Sequence, residues 1–474
     1  MRVLKFGGSS VGEAGCARTV VELLTGRRDE GLVVVLSALS GTTDRLARIG
    51  DLAATGRLEE ARELVAAIGE HHRRIASVLM PPGPERVAAV ADCARRLEVV
   101  DAMAASCAVL GDLSPRVAAR LLGHGERMAT RLVAAALKSA GVRTVQVDAG
   151  DVIVAEGEPL AAEPCLDAIR DRTRAVIPPL LEARSVVVTE GFVARSPGGA
   201  AVTLGRGGSD WSASLLGAAL AAEEIEIWTD VDGIMTADPS LVPEARPIPR
   251  MSFAEAAELA AFGARVLHPR TLLPAVEHGI PVRVLNTRRP DGAGTLVLAE
   301  ACPNGHPVKS IVSKEHLTVV HLSSTRMFKA HGFLRRLFAV LDRHRLAPDV
   351  VATSEVSVAF GLADAARLPA ALPELGELGS VAVRDRQAVV CVVGERLKEV
   401  PGIVAQVFDD LGDLRSSLVS FGGSEINLSF VVDEAALPEV VGRLHRRFFP
   451  PLTGDPAVGS PNSAYPARTS SAGA

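Results

Sequence analysis

Four short stretches of this sequence combine glycine, hydroxyl and charged side chains in patterns suited to phosphate and carboxylate chemistry. The first is Lys5-Phe6-Gly7-Gly8-Ser9-Ser10-Val11-Gly12, directly after the apolar pair Val3-Leu4. Gly7 and Gly8 let the backbone approach an oxyanion, Ser9 opens a helix, and the Lys5 ammonium can neutralise charge. The spacing is neither that of a Walker loop nor that of a dinucleotide fingerprint. A tight strand-to-helix turn with an incidental lysine would use the same residues. The second stretch, Leu204 to Leu220, sets Arg206 among Gly205, Gly207 and Gly208 and places Ser209 and Asp210 before a helix rich in small residues. An arginine so placed can hold a carboxylate through two parallel hydrogen bonds. Ser209 and Asp210 could serve a ligand or simply cap the helix.

The third stretch, Gly123 to Met128, lies inside a long helical pattern. Its Glu126 reads either as an exposed helix residue or as the receiver of a ligand ammonium. The fourth, Trp228-Thr229-Asp230-Val231-Asp232-Gly233, ends a strand and is followed by Thr236-Ala237-Asp238-Pro239. Carboxylates just past the carboxyl end of a strand are where open α/β sheets hold nucleotides and metals. Asp-Gly and Asp-Pro are also ordinary turn formers.

The elements that must position these groups follow from periodicity. Short β-branched runs at Val3–Phe6, Leu32–Leu36, Thr144–Asp148, Ser185–Thr189, Ile225–Thr229 and Val282–Leu285 alternate with helical patterns at Glu59–Leu79, Pro84–Leu110 and Ser114–Ala140. Strands apolar on both faces and separated by helices predict an α/β fold, an open and mainly parallel sheet sandwiched by helices. The texture changes after Gly292-Ala293-Gly294 and Cys302-Pro303-Asn304-Gly305, so the first domain is expected to span 1–298.

Beyond that boundary the chain repeats itself. Gly332–Phe360 aligns without gaps onto Gly402–Phe430 at an offset of 70 residues, with seven identities in 29 positions. Each unit reads as a Gly turn, an amphipathic helix and an alternating strand led by Ser-Glu (Ser354-Glu355 and Ser424-Glu425). The register and the shared corner indicate a duplication. The segment 450–474 is rich in Pro, Ser, Gly and Ala and reads as a disordered tail.

Composition narrows the classes of function. The 474 residues carry a net charge of −5 and only 3% aromatic side chains, which gives neither a basic surface nor stacking platforms for nucleic acid. The six cysteines are scattered, without CxxC pairs, and read as reduced thiols of a cytosolic protein. Met1 to Gly8 meets Lys5 and two glycines before an apolar region develops, and no apolar run approaches the roughly 18 residues of a membrane span. The expectation is a cytoplasmic chain without membrane or nucleic-acid partners and without a protein-held metal.

The four motifs, in this order, resemble the aspartokinase branch of the amino-acid kinase family. Leu36–Asp44 (LSALSGTTD), Thr189–Phe192 (TEGF), Phe253–Pro269 and Thr353–Val358 (TSEVSV) extend the likeness from Val3 to about Phe449. It is most similar to the monofunctional, lysine-sensitive type, whose carboxyl-terminal half holds two ACT modules of ferredoxin-like α+β build. The resemblance implies regulatory modules at about 315–385 and 386–449, with 306–314 able to complete the second. It implies transfer of the ATP γ-phosphoryl to the aspartate side-chain carboxylate, with Mg²⁺. It also implies feedback by lysine, with threonine or no effector as the alternatives, and a homodimer formed through the ACT modules, or a tetramer.

Carried over by position, Lys5 would touch the transferring phosphoryl group, with Gly7, Gly8 and Ser9 lining the phosphate loop. Ser37, Thr43, Glu126, Arg206 and Ser209 would hold aspartate, Glu126 on its ammonium. Asp210 would organise Lys5, giving Lys5, Arg206 and Asp210 as the catalytic set. Thr229, Asp230, Met235, Ser240, Arg265 and Val266 would contact nucleotide. Met327, Ala330, Phe333, Leu334, Asp349, Ser354 and Glu355 would form the inhibitor pocket, with Asp349 taking an ammonium as an acid that has no packing reason of its own. The chain departs from the family at Met235 (usually Tyr), Ser240 (usually Arg), Arg265 (usually Lys) and Ala330 (Ser in the lysine-sensitive type). These changes fall on the nucleotide and effector sides. Other amino-acid kinases share the glycine loops but lack the paired ACT-like repeat. The remaining alternatives are a catalytically weak sensing subunit and a kinase specialised for osmolyte or secondary metabolism.

Overall fold

The structure, a computed structural model, describes residues 1–262, 269–300 and 307–450. Arg265, Val266 and the segment 451–474 lie outside the described residues. Among the described residues one sheet has eight strands. In spatial order they are Arg250–Ser252, Thr295–Leu298, Val282–Asn286, Glu224–Thr229, Arg2–Phe6, Leu32–Leu36, Val186–Glu190 and Thr144–Val147. Every neighbouring pair runs parallel except Val282–Asn286 with Thr295–Leu298. Strand Leu32–Leu36 is buried at all five positions, as a strand covered on both faces must be.

Side-chain alternation sorts this sheet into two cores. Leu4 and Phe6 join Leu32, Val34 and Leu36 under the helices on one face, while Val3, Val33 and Val35 pack with Trp211, Leu215 and Leu216 on the other. Lys5 has the parity of Val3. Period two therefore aims its ammonium at helix Gly208–Leu220, the element that carries Asp210.

The helix expected over Ser114–Ala140 is two helices, Pro115–Leu122 and His124–Ser139, parted at Gly123. Two glycines within three residues weaken the helix there. Gly125 also permits a close approach, because a Cβ at that position would lie 2.9 Å from the Ala38 Cβ. The break turns the second helix so that its first turn, with Glu126, faces the 37–41 loop. The edge strand Arg250–Ser252 and its neighbour Thr295–Leu298 were not expected from the sequence. They are three and four residues long and carry too little period to register.

The carboxyl-terminal half is one six-stranded antiparallel sheet in the order Val350–Thr353, Ser357–Leu362, Ser310–Ser323, Ser380–Val393, Asn427–Asp433, Ser416–Phe421. Ser310–Ser323 pairs along its length with Ser380–Val393 and along its second part with Ser357–Leu362. The 70-residue repeat is a structural repeat. Gly332 and Gly402 precede their helices with φ of 79° and 72°. Ser354 and Ser424 each accept a turn N–H, from Val356 and Ile426 respectively. The Ser-Glu corner does not lead a strand, as the alternation had suggested. It occupies the turn between the two strands of each unit, where a serine oxygen satisfies an N–H that the sheet leaves over.

The second repeat is docked onto the first domain. Cys391 and Val393 belong to the core beneath helix Gly208–Leu220, and Ala237 and Val242 are buried among Leu437, Val441 and Leu444. No described helix is long and apolar enough to cross a membrane. The described cysteines are free, with Cys16, Cys93, Cys107 and Cys391 buried.

The glycine break gives a test. Gly125→Ala should cost about 1–3 kcal/mol by overpacking against Ala38. Gly15→Ala, in helix Ala14–Gly26 with nothing within 4 Å of the new Cβ, should be neutral or stabilising. Denaturant midpoints of the two variants check it, and equal shifts would remove the close-approach argument.

Candidate active site

The carboxyl ends of strands Arg2–Phe6 and Leu32–Leu36 open onto a cavity of about 430 Å³. Its wall includes Lys5, Gly8, Ser37, Thr43, Glu126, Arg206, Ser209 and Asp210. Every residue carried over as catalytic or aspartate-binding therefore lies on one cavity. They come from four separate stretches of the chain.

Lys5 and Asp210 are its closest pair, with Nζ 2.7 Å from Oδ1 and both side chains largely buried. Asp210 does not cap its helix. The preceding position is Gly207, in the left-handed region at φ 72°, and no side chain caps there. Asp210 sits in the first turn, where the helix dipole favours a carboxylate. The Ser209 hydroxyl likewise accepts no helix N–H as a cap. Gly205 and Gly207 both take positive φ, which bends the loop and leaves Arg206 exposed at the cavity. Arg206 has no ion-pair partner among the described residues, so its planar donor fork is open to a ligand carboxylate.

Glu126 is 3% exposed, which settles its reading against a surface helix residue. Its Oε1 accepts from the Ala38 N–H at 3.3 Å, and its Oε2 is buried with no hydrogen-bond partner among the described residues. Burial pushes its pKa up to about 8; its own and the Ala38 N–H oppose this, and nearby Glu190 adds to it. An unpaired buried carboxyl on a ligand cavity is costly unless something charged arrives to meet it. Glu190, also buried and raised by desolvation, is held differently, accepting from the Ala149 N–H at 2.7 Å and from Gln146 Nε2 at 3.2 Å.

The glycine loop is fixed from below. The Gly7 N–H and the Ser10 hydroxyl both donate to the Trp228 carbonyl, at 3.1 and 3.2 Å. Thr287 Oγ1 donates to Ser10 Oγ at 2.7 Å. Gly8 and Gly12 pack on the 38–40 segment, where Cβ atoms would fall 3.0 Å from Ala38 O and 2.3 Å from Ser40 N. Gly7, Ser9, Thr229 and Asp230 flank the cavity rather than line it. Thr229 Oγ1 donates to Asp230 at 3.1 Å, beyond the strand end. Met235 bridges Pro247, and the Ser240 hydroxyl donates to Asp238 at 2.6 Å. Sequence reasoning passed over Ala38, Ser40, Asp44 and Phe192, which also line the cavity. All but Phe192 lie within the Leu36–Asp44 motif, which carried the signal.

Among the described residues no group of three or more His, Cys, Asp or Glu side chains is placed to hold a metal ion. On the regulatory side Asp349 is not the solitary acid expected. It pairs with Lys314 Nζ at 2.5 Å and accepts the Ala363 N–H at 2.7 Å. Lys314 stands next along the strand to residues whose alternation gave no sign of this partner. Phe333 is buried in the first repeat's core with Met327 and Ala330 against it, whereas Leu334 and Glu355 are exposed. Ser354 bonds Ser357 within its turn.

Comparison with known proteins agrees with this geometry. The model of the amino acid kinase family matches residues 1–286, and an ACT domain model matches 390–448. "Lysine-sensitive aspartokinase 3" of Escherichia coli is 34% identical over 455 residues, covering 94% of this chain and 99% of that protein. "Aspartokinase 1, chloroplastic" of Arabidopsis thaliana is 33% identical over 463 residues, covering 94% and 80%. The crystal structure of E. coli aspartokinase III in complex with aspartate and ADP superposes with a TM-score of 0.80, covering 95% of this chain and 100% of that one. The same protein in complex with lysine and aspartate gives 0.79. With the kinase model matched over most of the first 300 residues and relatives aligned nearly end to end, the chain belongs to the amino acid kinase family, in its aspartokinase branch.

Proposed function

We propose that this protein phosphorylates the side-chain carboxylate of L-aspartate with ATP, as the first step of the biosynthetic route to lysine, threonine and methionine, and is inhibited by lysine. One observation carries the substrate reading: an unpartnered, buried Glu126 oxygen shares a cavity with the open guanidinium of Arg206 and the Lys5–Asp210 pair. An amino acid with two carboxylates presents the complementary charges, its ammonium to Glu126 and a carboxylate to Arg206.

The β-carboxylate is ionised near neutral pH, so no general base is needed. Its oxygen attacks the γ-phosphorus, the bond from that phosphorus to the bridging oxygen breaks, and ADP leaves with the electron pair. The products are 4-phospho-L-aspartate and ADP. The difficulty is driving one anion against another, so catalysis rests on position and on cations. Lys5 is held by Asp210 where charge gathers on the transferring group, and the N–H groups of Gly8 and Ser9, in the first turn after Gly7, are those left for the phosphates. Mg²⁺ fits as an ion carried by the nucleotide phosphates, since the described side chains form no cage for it. When bound it neutralises phosphate charge.

We read the regulatory half as two ACT-like modules, 315–385 and 386–449, the second completed by 306–314. The pairing of Ser310–Lys314 with Val389–Val393 supports this. We place the enzyme in the cytoplasm as a homodimer through these modules. At Asp349 the pair with Lys314 supports an ammonium-binding role, and an effector ammonium would have to exchange with the Lys314 side chain.

Lys5→Ala or Asp210→Ala should lower acyl phosphate formation, trapped with hydroxylamine, by roughly 100-fold or more in a folded protein. Near-normal turnover would defeat the assignment.

The buried acid makes a second, two-sided prediction. A carboxyl whose folded pKa is raised gives stability that is complete below its unfolded pKa and is lost as pH rises through the folded value of about 8. Glu126→Gln should therefore raise Tm at neutral pH, by up to the equivalent of about 3 kcal/mol. It should also raise KM for aspartate far more than KM for ATP. In the wild type, KM for aspartate should climb as pH falls from 8.5 to 6.5, because the ligand needs Glu126 ionised. The variant should flatten that slope. A pH-independent wild-type KM would sink the ammonium role.

For control, inhibition by lysine should vanish in Asp349→Ala and set in at lower lysine in Lys314→Ala. Titration of activity with lysine, beside Tm to monitor folding, reads both. Unchanged inhibition in Asp349→Ala would place the effector elsewhere.

A further inference from the structure

The segment Ile234–Ile248, which carries Met235 and Ser240, is closed on itself and gripped from both halves of the chain. The Ile248 N–H donates to Ile234 O at 2.8 Å and the Thr236 N–H to Arg246 O at 2.9 Å. From the catalytic side Thr295 Oγ1 accepts the Ile234 N–H at 2.8 Å. From the regulatory half Ser310 Oγ donates to Met235 O at 2.8 Å, and the Ile311 N–H donates to Thr236 O at 2.8 Å.

One contact in this grip joins two side chains 209 residues apart: Thr236 Oγ1 lies 3.0 Å from His445 Nε2. Thr236 is 4% exposed and His445 3%. Thr236 Oγ1 already accepts the Arg246 N–H at 3.1 Å, so its own proton is free to go to His445. The imidazole then acts as a neutral acceptor, and burial, aided by Arg246 and opposed by Glu244, lowers its pKa in keeping with that state. His445 comes from helix Leu437–Phe448, whose apolar side buries Leu437, Val441 and Leu444 with Ala237 and Val242. The Phe449 ring packs beside the imidazole at 5.0 Å between centroids.

We infer that His445 is a positioning residue for the phosphoryl donor: from the last described helix of the regulatory half it holds Thr236, and through Thr236 it sets where the 235–240 segment stands against the bound nucleotide. The inference rests on the reading of Thr229–Ser240 as the nucleotide side. Removing either partner strands a buried polar group, and the segment regains partners only by moving. The catalytic half is then incomplete toward ATP without the second repeat.

The test uses the full chain with His445→Phe, His445→Gln, Thr236→Val and the double variant Thr236→Val/His445→Phe. KM is measured for ATP and for aspartate, and binding of a non-hydrolysable ATP analogue is measured by calorimetry. His445→Phe should raise KM for ATP and the analogue Kd about 5- to 20-fold while KM for aspartate changes less than about twofold. His445→Gln, whose amide can still meet the threonine hydroxyl, should recover most of the loss. Thr236→Val should match His445→Phe, and the double variant should be no worse than either. Equal changes in both KM values, or a fall in Tm with nucleotide binding unmoved, would overturn the inference and leave the bond as structural glue. Asp230→Ala separates the two readings. If it leaves analogue binding unchanged, the nucleotide side itself is misplaced. If it weakens binding while His445→Phe does not, the inference alone fails.

Discussion

The 2.7 Å pair between Lys5 and Asp210 ties the end of strand Arg2–Phe6 to the first turn of helix Gly208–Leu220, and much of the kinase half is arranged to keep it there. Lys5 would waste its charge if the strand twisted by one residue, since its parity alone decides between the two cores. The pairing on both sides, with Leu32–Leu36 and Glu224–Thr229, fixes that parity through five residues in register. Asp210 gains from the helix N-terminus and in turn holds the largely buried Lys5 ammonium aimed. The ion pair therefore reads less as a source of stability than as a means of holding one cation still where two anions must meet.

Around that pair the site is assembled by close backbone approaches rather than by large side chains. Gly8, Gly12, Gly125 and Gly191 each lie where a Cβ would meet a neighbour at 3.0 Å or less, three of them against the 38–40 segment. Such contacts bring Ala38 N within reach of Glu126 and set the glycine loop beside the cavity. The cost appears in the polar groups left over. The Glu126 Oε2, and the hydroxyls of Thr42, Thr130 and Thr189, are buried without partners among the described residues. An apolar substitution at Glu126 would relieve the fold, and this unmet cost is what the proposed ammonium role would account for.

How much of this the sequence disclosed depends on the distance over which each signal acts. The strand and helix order was legible because period two and period 3.6 are local, and the boundaries at Leu32–Leu36 and Pro84–Leu110 coincide with those expected. The break at Gly123 was hidden by the surrounding helical pattern, because glycine lowers helix stability without fixing where the chain turns next. Burial of Glu126 was undecidable locally: the same residue would be exposed if helix His124–Ser139 turned by half a revolution. Lys314 was invisible as the partner of Asp349, since a strand lysine normally marks a solvated face.

His445 shows the limit most clearly. In sequence it is one polar residue in an amphipathic helix, 209 positions from Thr236, and nothing in its neighbourhood marks it. It becomes meaningful only because Ser310–Ser323 and Ser380–Val393 are long enough to serve both repeats at once. That shared sheet makes the regulatory half stiff along its length, and its second repeat is the end anchored to the catalytic core through Cys391, Val393 and the 234–248 segment. An effector at Asp349 would act beside Lys314, on the same strand whose Ser310 and Ile311 bond Met235 and Thr236, so a change it causes has a path along that strand to the 234–248 segment. A stiff connection of that kind favours two alternative settings of the whole half over a graded local adjustment. Lysine and ATP would then oppose each other because they prefer different settings, without sharing a single contact.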